Sequence, residues 1–307
     1  MQQSQMSFRA AALFGLATLQ GVTAHLAAYT PGMYCPQVYV YQDYNFHLAR
    51  KCSYILQNTY QGPLTNFSDP NHVVYDPLFN LEQDSWFLSK GRNCWLAPPT
   101  GVWEIQANSV IQVPWANGQN SKGYYADGKE QNQRPQPFSV TNPAVVAAGL
   151  VSSSGGINSP NLHAGNKSTA AGTAVAIAYK SNIYDVKMED FVVFTTAPQT
   201  PFERLVTYDI PNLKACDECL CATVWIPNGY GQQNMYMAPH KCRVVNPSGG
   251  QQPKTPSLVP GPNVKGPKQM IAAFQASGNN VQWKNGQQVP TYTSRMGFTA
   301  GAQTDIF

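Results

Sequence analysis

The chain has 307 residues, of which 12% are charged and 43% are hydrophobic, and its formal net charge is +4. The apolar content suffices for a sizeable core, the few charges exclude charge-driven disorder, and the small positive balance excludes a nucleic-acid-binding protein. The 24 Gly and 24 Pro favour short strands joined by long loops, and the seven Cys suit an oxidising compartment.

Residues 1–24 are predicted to be a secretory signal peptide. Arg9 supplies a basic flank, Ala10 to Leu19 form a short apolar core, and small residues precede a cleavage site after Ala24. This apolar run, roughly ten residues long, is too short to span a bilayer. The sequence therefore predicts a secreted, extracellular protein with no membrane partner, and processing would leave His25 as its first residue.

An N-terminal histidine offers two nitrogen ligands from one residue. The α-amine and the imidazole Nδ1 of His25 can both bind one metal ion, and an α-amine of pKa about 7.7–8.0 loses its proton readily to a competing cation. One more imidazole would complete a three-nitrogen site, and copper(II) favours such tetragonal nitrogen geometry. The alternative is an N-terminal histidine that binds no metal.

The second imidazole must come from one of four other histidines. His163 is preferred because it lies in a loop rich in Gly, Asn and Ser just before a clear strand, where a sheet edge presents ligands. His47 lies in a short helical pattern and His72 in a turn. His240 stands beside Lys241, whose charge disfavours a bound cation. The residues alone leave these alternatives open.

Strand-like segments follow one another at short intervals from Val102 onward. They are VWEIQANSVIQVPW, GTAVAIAYKS, DFVVFTTAP, FERLVTYDIP, CLCATVWIPN and NMYMAPHKCRVV. Alternation in the second segment places Val175, Ile177 and Tyr179 on one face. The pattern predicts an all-β protein, an antiparallel β-sandwich with long loops, and a few short helices in the Tyr-rich insertion at residues 40–98.

The last of these strands adds two candidate site residues. Asn234 and Tyr236 are two positions apart, so their side chains face the same side of a strand. A tyrosine oxygen there could stand at the axial position of a metal site. Ordinary core packing is the alternative for Tyr236.

The C-terminal segment is rich in Pro, Gly and Gln, and QMIAAFQ and VQWKN are its only strand signals. A packed extension is preferred over a carbohydrate-binding module, because the suitable rings there, Phe274, Trp283 and Tyr292, do not form an aromatic row. The predicted division after the signal peptide is a β-sandwich domain at 25–246 and an extension at 247–307 that packs partly on the same domain.

The cysteines and two glycosylation sequons fit secretion. The four cysteines of CDECLC and MAPHKC could be drawn as a zinc site, but disulfides are the better interpretation in a secreted chain. The candidate disulfide cysteines, with their pairing left open and one thiol left over, are Cys35, Cys52, Cys94, Cys216, Cys219, Cys221 and Cys242. Asn66 and Asn166 begin N-x-S sequons and are the predicted glycosylation sites.

Three segments, HLAAYTPGMYC, NLHAGNKSTAAGTAVAIAYKS and QNMYMAPHKC, occur in this order and together resemble the fungal lytic polysaccharide monooxygenases of auxiliary activity family 14. The resemblance implies an immunoglobulin/fibronectin-like sandwich with one copper ion in a histidine brace. It implies His25 and His163 as copper ligands and Tyr236 as the axial residue. Asn234 would be a polar neighbour at the same catalytic centre.

The resemblance also implies a reaction. The protein would be an oxidoreductase that cleaves plant cell-wall polysaccharide, with insoluble xylan on cellulose as substrate and O2 or H2O2 as co-substrate. An external electron donor, a small molecule or a redox enzyme, would reduce Cu(II) to Cu(I), and the enzyme would work as a monomer. The alternative is a secreted copper-binding protein for copper acquisition or storage that shares the brace but oxidises no polysaccharide.

Overall fold

The computed structural model describes residues 27–28, 30–34, 78–83, 99, 101–116, 167–202, 205–228 and 233–307. The strands within them are β1 Ala27–Ala28, β2 Trp103–Gln106, β3 Val110–Ala116, β4 Thr173–Ala178, β5 Val192–Ala197, β6 Leu205–Asp209, β7 Cys216–Trp225, β8 Tyr236–Val245 and β9 Gly301–Ala302. Single 3-10 turns occur at Lys167–Thr169, Met188–Asp190, Ser294–Met296 and Thr304–Ile306. Among the described residues, no helix has the length and apolar character needed to cross a membrane.

The strands form two sheets, one of three strands in the order β1-β3-β6 and one of six in the order β2-β8-β7-β4-β5-β9. Neighbouring strands are antiparallel except β2 and β8, which run parallel. The predicted all-β sandwich is therefore confirmed. Within residues 40–98 the structure describes only 78–83, so the short helices predicted for this insertion stay a prediction.

Both strands predicted in residues 102–115 form, but they do not pair with each other. β2 lies beside β8 in the large sheet, whereas β3 lies between β1 and β6 in the small one. The polar turn between them includes Asn108 in the left-handed region, with φ of 51°. Asparagine tolerates this conformation better than most residues, so it suits a turn that carries the chain from one sheet to the other.

The space between the two sheets holds one buried cluster, which we call the inner core. Trp115 of β3 and Tyr208 of β6 share this cluster with Phe194 and Trp225 of the large sheet. The Tyr208 Oη and the Thr173 Oγ1 are 2.6 Å apart, so a hydrogen bond also links the sheets. Large side chains that interdigitate between facing sheets are what a β-sandwich requires.

The large sheet is buried on its other face as well. Val175 and Ile177 of β4 belong to the inner core, as their alternation predicts. Ala174 and Ala176 belong to a second cluster, the outer core, which is completed by side chains from residues 270–298 and by Met33, Tyr34 and Leu78. All six residues of β4 are therefore buried. The C-terminal segment packs on the sheet as a third layer.

The strands predicted at QMIAAFQ and VQWKN are wrong, because side chains replace a neighbouring strand there. The backbone N–H of Ile271 donates to the Tyr292 Oη at 3.0 Å, and that of Ala272 donates to the Asn280 Oδ1 at 2.8 Å. The Asn280 Nδ2 in turn donates to the Met270 carbonyl at 2.8 Å. Buried backbone groups need partners, and here the partners lie 8 to 21 residues further along the same segment.

Candidate functional site

Tyr236 is the predicted site residue that the structure describes most fully. It is the first residue of β8, is 6% exposed, and stacks on Trp225 with ring centroids 4.7 Å apart. Its side chain belongs to the inner core. The ring is thus held against a second buried ring, which fixes where its hydroxyl can lie.

The sheet register places Tyr236 in one row with the residue at which β4 begins. Thr173, the first residue of β4, pairs with Trp225 of β7, and Trp225 pairs with Tyr236 of β8. These three residues form one row across the end of the sheet. His163 itself lies outside the described residues, ten positions before Thr173 in the sequence. The start of β4 and the start of β8 therefore lie at the same end of the large sheet.

Asn234 lies two residues before Tyr236 and is 5% exposed. Met235 and Met237 belong to the outer core, whereas Tyr236 between them belongs to the inner core. The side chains therefore alternate around Tyr236 as the sequence predicts. By that alternation Asn234 is on the Tyr236 side of the chain.

His25 lies outside the described residues, but the segment that follows it is fixed in two ways. Ala27 pairs with Ala116, and Ala28 pairs with Trp115, so β1 is an edge strand of the small sheet. Residues 30–34, which we call the N-terminal arm, then lie along β8. In chain order, β1 and the N-terminal arm thus follow the predicted first copper ligand, and the arm contacts the strand that begins with the predicted axial residue.

Backbone contacts hold the N-terminal arm on β8. The Lys241 N–H donates to the Gly32 carbonyl at 2.7 Å, and the Tyr34 N–H donates to the Pro239 carbonyl at 3.1 Å. A Cβ at position 32 would overlap the carbonyl oxygen of Lys241. The approach is so close that this position requires glycine.

His240 links the N-terminal arm to the sheet through its side chain. Its Nδ1 is 2.8 Å from the Thr30 Oγ1, and its Nε2 is 3.0 Å from the Thr223 Oγ1. The ring is fully buried and packs edge-on against Trp103, with centroids 5.4 Å apart. Burial lowers the pKa of His240 to about 3. The imidazole is therefore neutral, with one nitrogen donating and the other accepting.

These contacts change the interpretation of His240. The sequence disfavours it as a metal ligand because of the adjacent charge of Lys241, whereas the structure supplies a stronger reason, since both ring nitrogens already have partners. Its role as an anchor for the N-terminal arm was missed. The signal was its place within an alternating strand, where a buried polar ring must find hydrogen-bond partners.

Four of the candidate cysteines form two disulfides. Cys221 and Cys242 join β7 to β8 with Cα atoms 5.8 Å apart, and Cys216 and Cys219 span an irregularity in β7 with Cα atoms 6.1 Å apart. The disulfide interpretation is confirmed for these four, and they offer no thiolate to a metal. Cys35, Cys52 and Cys94 lie outside the described residues, as do the glycosylation sites Asn66 and Asn166.

The sequence profile of the lytic polysaccharide monooxygenase AA14 family matches residues 7–307. The chain belongs to this AA14 family. It is 66% identical over 285 residues, 93% of each chain, to the AA14 family lytic polysaccharide monooxygenase B of Talaromyces rugulosus. It is also 34% identical over 154 residues, 44% of this chain and 36% of the relative, to the AA14 family lytic polysaccharide monooxygenase A of Trametes coccinea strain BRFM310.

A solved structure, the extended catalytic domain of H. jecorina LPMO9A, overlaps 66% of this chain and 68% of its own at 11% identity, with a TM-score of 0.30. That score is too low for the overlap to support an inference about this protein. Membership of the AA14 family is what confirms the predicted resemblance. The protein is thus an oxidoreductase, a lytic polysaccharide monooxygenase, and the family implies a copper cofactor.

Copper fits the donor set that the sequence predicts. An α-amine, two imidazoles and a phenol are the nitrogen and oxygen ligands that copper(II) favours in tetragonal geometry. Tyr236, the phenol of this set, lies in one row with Thr173, where β4 begins. The disulfides remove the four described thiols from competition for the metal.

Proposed function

We propose that this AA14 enzyme is secreted, carries one copper ion in a histidine brace, and oxidatively cleaves xylan associated with cellulose. The brace consists of the α-amine and imidazole of His25 and the imidazole of His163. Tyr236 would hold the copper through its phenol oxygen, and Asn234 would lie on the same side of the chain. The observation that supports this best is the row Thr173–Trp225–Tyr236, which joins the axial residue to the entry of β4 within a family member.

Each residue of the proposed site has a physical task. His25 and His163 would bind the metal, and the Trp225 ring holds Tyr236 in a fixed position for its part in the site. His240 and Gly32 keep the N-terminal arm on β8, which limits where His25 can lie. Once bound, copper supplies the redox chemistry that hydroxylates a C–H group next to a glycosidic bond.

The overall reaction balances with either oxidant. With O2, one C–H group becomes C–OH and the second oxygen atom leaves as water, which consumes two electrons from the external donor and two protons. With H2O2, the peroxide supplies the oxygen atom and both oxidising equivalents, and the other product is water. In both cases the hydroxylated carbon then loses its glycosidic bond, so the polysaccharide chain is cut.

The test uses enzyme processed to begin at His25 and loaded with copper. Incubation with ascorbate and xylan-coated cellulose should release oxidised xylo-oligosaccharides, which mass spectrometry detects. Metal-free enzyme and the variants His25→Ala and His163→Ala should release none, and both variants should bind copper more weakly by calorimetry. Tight copper binding without oxidised products from xylan, cellulose or chitin would instead support copper acquisition or storage.

A further inference from the structure

A cleft of about 550 Å³ opens where three distant parts of the chain meet, within the roughly 300–1,000 Å³ range of ligand pockets. We call it the amide cleft. Its lining residues are Phe79, Gln233, Phe274, Gln275, Asn279, Val281, Gln282, Trp283 and Asn285. Five of these nine side chains are amides, three are aromatic rings, and none is charged.

Hydrogen bonds fix the three parts of the chain relative to one another. Leu78 and Met235 exchange two backbone hydrogen bonds, of 2.8 and 3.1 Å. The Gln275 Nε2 donates to the Leu78 carbonyl at 2.7 Å, and the Asn80 N–H donates to the Phe274 carbonyl at 2.8 Å. The C-terminal segment is therefore attached to the residues just before β8. The amide cleft is built into the fold.

The aromatic side of the amide cleft is a fixed corner. The rings of Phe274 and Trp283 meet at 74° with centroids 5.4 Å apart, and the Trp283 Nε1 donates to the Gln287 carbonyl at 3.1 Å. Both side chains are half-buried, so part of each ring remains in contact with solvent. Phe274 has a φ of 67°, a conformation that is unfavourable for a residue with a side chain and is typical of functional sites.

The polar side of the amide cleft divides into two groups. Gln275 and Asn279 hydrogen-bond each other and the neighbouring backbone, so they shape the wall. The side chains of Gln233, Gln282 and Asn285 make no hydrogen bond within the described part of the chain. Each of these three amides can donate and accept, so together they match a ligand that carries many hydroxyl groups.

We propose that the amide cleft is a binding subsite for a neutral polysaccharide chain of pyranose rings. The C–H face of a pyranose would stack on Trp283, and its hydroxyl groups would bond to the three available amides. The uncharged lining favours a neutral sugar over phosphate, a charged peptide or an acidic polysaccharide. This inference rests on the proposed function, because it assigns to the same polysaccharide a second contact beyond the copper.

The position of Gln233 connects the amide cleft to the proposed catalytic centre. Gln233 directly precedes Asn234 and is three residues before Tyr236, so one stretch of chain lines both. A polysaccharide chain bound in the amide cleft would therefore lie near the start of β8, the strand that carries Tyr236. The C-terminal segment thus acts as part of the substrate-binding surface of the sandwich, without forming a separate carbohydrate-binding module.

The test measures binding to full-length, processed enzyme without copper, so that no turnover is needed. Xylohexaose and cellohexaose are titrated by calorimetry, and adsorption to xylan-coated cellulose is measured by depletion. Trp283→Ala should weaken binding roughly tenfold, because it removes the stacking face. Trp283→Phe should retain most of the affinity. Asn285→Ala should weaken binding of the neutral sugars, because it removes an amide that can donate to and accept from their hydroxyl groups.

Tyr184→Ala is the matched control, because this tyrosine is 49% exposed and does not line the amide cleft. Thermal melting checks that every variant is folded. The subsite would be overturned if the folded Trp283→Ala and Asn285→Ala proteins bound the sugars as the wild-type enzyme does. It would also be overturned if the wild-type enzyme bound neither sugar, or if it bound polygalacturonate equally well.

The binding test and the activity test fail independently. Binding that depends on Trp283, without oxidised products from copper-loaded enzyme, would leave the subsite in place and reject the proposed function. Oxidised products from an enzyme whose sugar affinity is unchanged by Trp283→Ala would support the function and reject the subsite.

Discussion

The two faces of the large sheet are buried by different means. A second sheet covers the inner face, with backbone ladders on both sides and large rings such as Trp115 and Tyr208 between them. The C-terminal segment covers the outer face with little regular structure, and side chains such as Asn280 and Tyr292 satisfy its backbone. A periodic cover is thus specified by residue alternation, whereas an irregular one depends on individual hydrogen bonds.

Deletion of residues 247–307, the outer cover of the large sheet, should destabilise the protein more than any single substitution. It would uncover the apolar outer face of β4, β7 and β8, including Leu220, Val224 and Met237. Exposure of a continuous apolar surface favours aggregation, so we expect no cooperatively folded, monomeric product. Near-ultraviolet circular dichroism and size-exclusion chromatography measure this. A monomer that melts cooperatively would show that the outer cover is dispensable.

Asn280→Ala tests a single hydrogen-bonding side chain of the outer cover. The substitution removes the partners of the Ala272 N–H and the Met270 carbonyl, both on buried residues. A buried backbone group left without a partner costs about 1–3 kcal/mol, so urea unfolding should show a loss of that size. Asn285→Ala, at an exposed position of the same segment, is the control and should change stability by less than about 0.5 kcal/mol. Equal effects of the two substitutions would contradict the assignment.

His240 is a polar exception on the inner face, and it predicts a pH dependence of stability. Its pKa falls from 6.5 to about 3 on folding, so between these values the unfolded chain binds more protons. The stabilising contribution is complete above pH 6.5 and is lost as the pH falls toward 3. The slope is at most about 1.4 kcal/mol per pH unit. The contacts with Thr30, Thr223 and Trp103 are to side chains that do not titrate.

The measurement is the free energy of unfolding of metal-free enzyme from pH 4 to 8, with His240→Gln as the comparison. The other histidines titrate in both proteins, so the difference between the two curves isolates His240. The wild-type curve should fall more steeply with decreasing pH below 6.5. Parallel curves would mean that His240 is not held neutral by the fold.

The sequence predicts the strands of the sandwich well because alternation and β-branched residues are local signals. It predicts β4 and its inward residues Val175 and Ile177 for that reason. The outer cover could not be predicted, because the partners of Ile271 and Ala272 are side chains whose roles depend on the folded path of the chain. Its Pro- and Gly-rich composition also resembles that of an extended linker.

The candidate site could likewise be predicted only in part. The chemistry of an N-terminal histidine and the resemblance to AA14 enzymes predict His25, His163 and Tyr236 as one copper centre, and the register of β4, β7 and β8 supports the position of Tyr236. The anchor His240 and the amide cleft were missed. The amide cleft joins Phe79, Gln233 and Trp283, which are far apart in sequence and show no common motif.

In the proposed enzyme, processed after Ala24, β1 sets a short tether for the mature end of the protein. Ala27 is already paired with Ala116, so only two residues separate the new α-amine from a fixed strand. At about 3.3–3.6 Å per residue, that amine stays within roughly 7 Å of Ala27, and each residue left over by an expression tag would carry it about one step farther. The cleavage position in the producing host would therefore matter to the proposed copper site as much as any side chain.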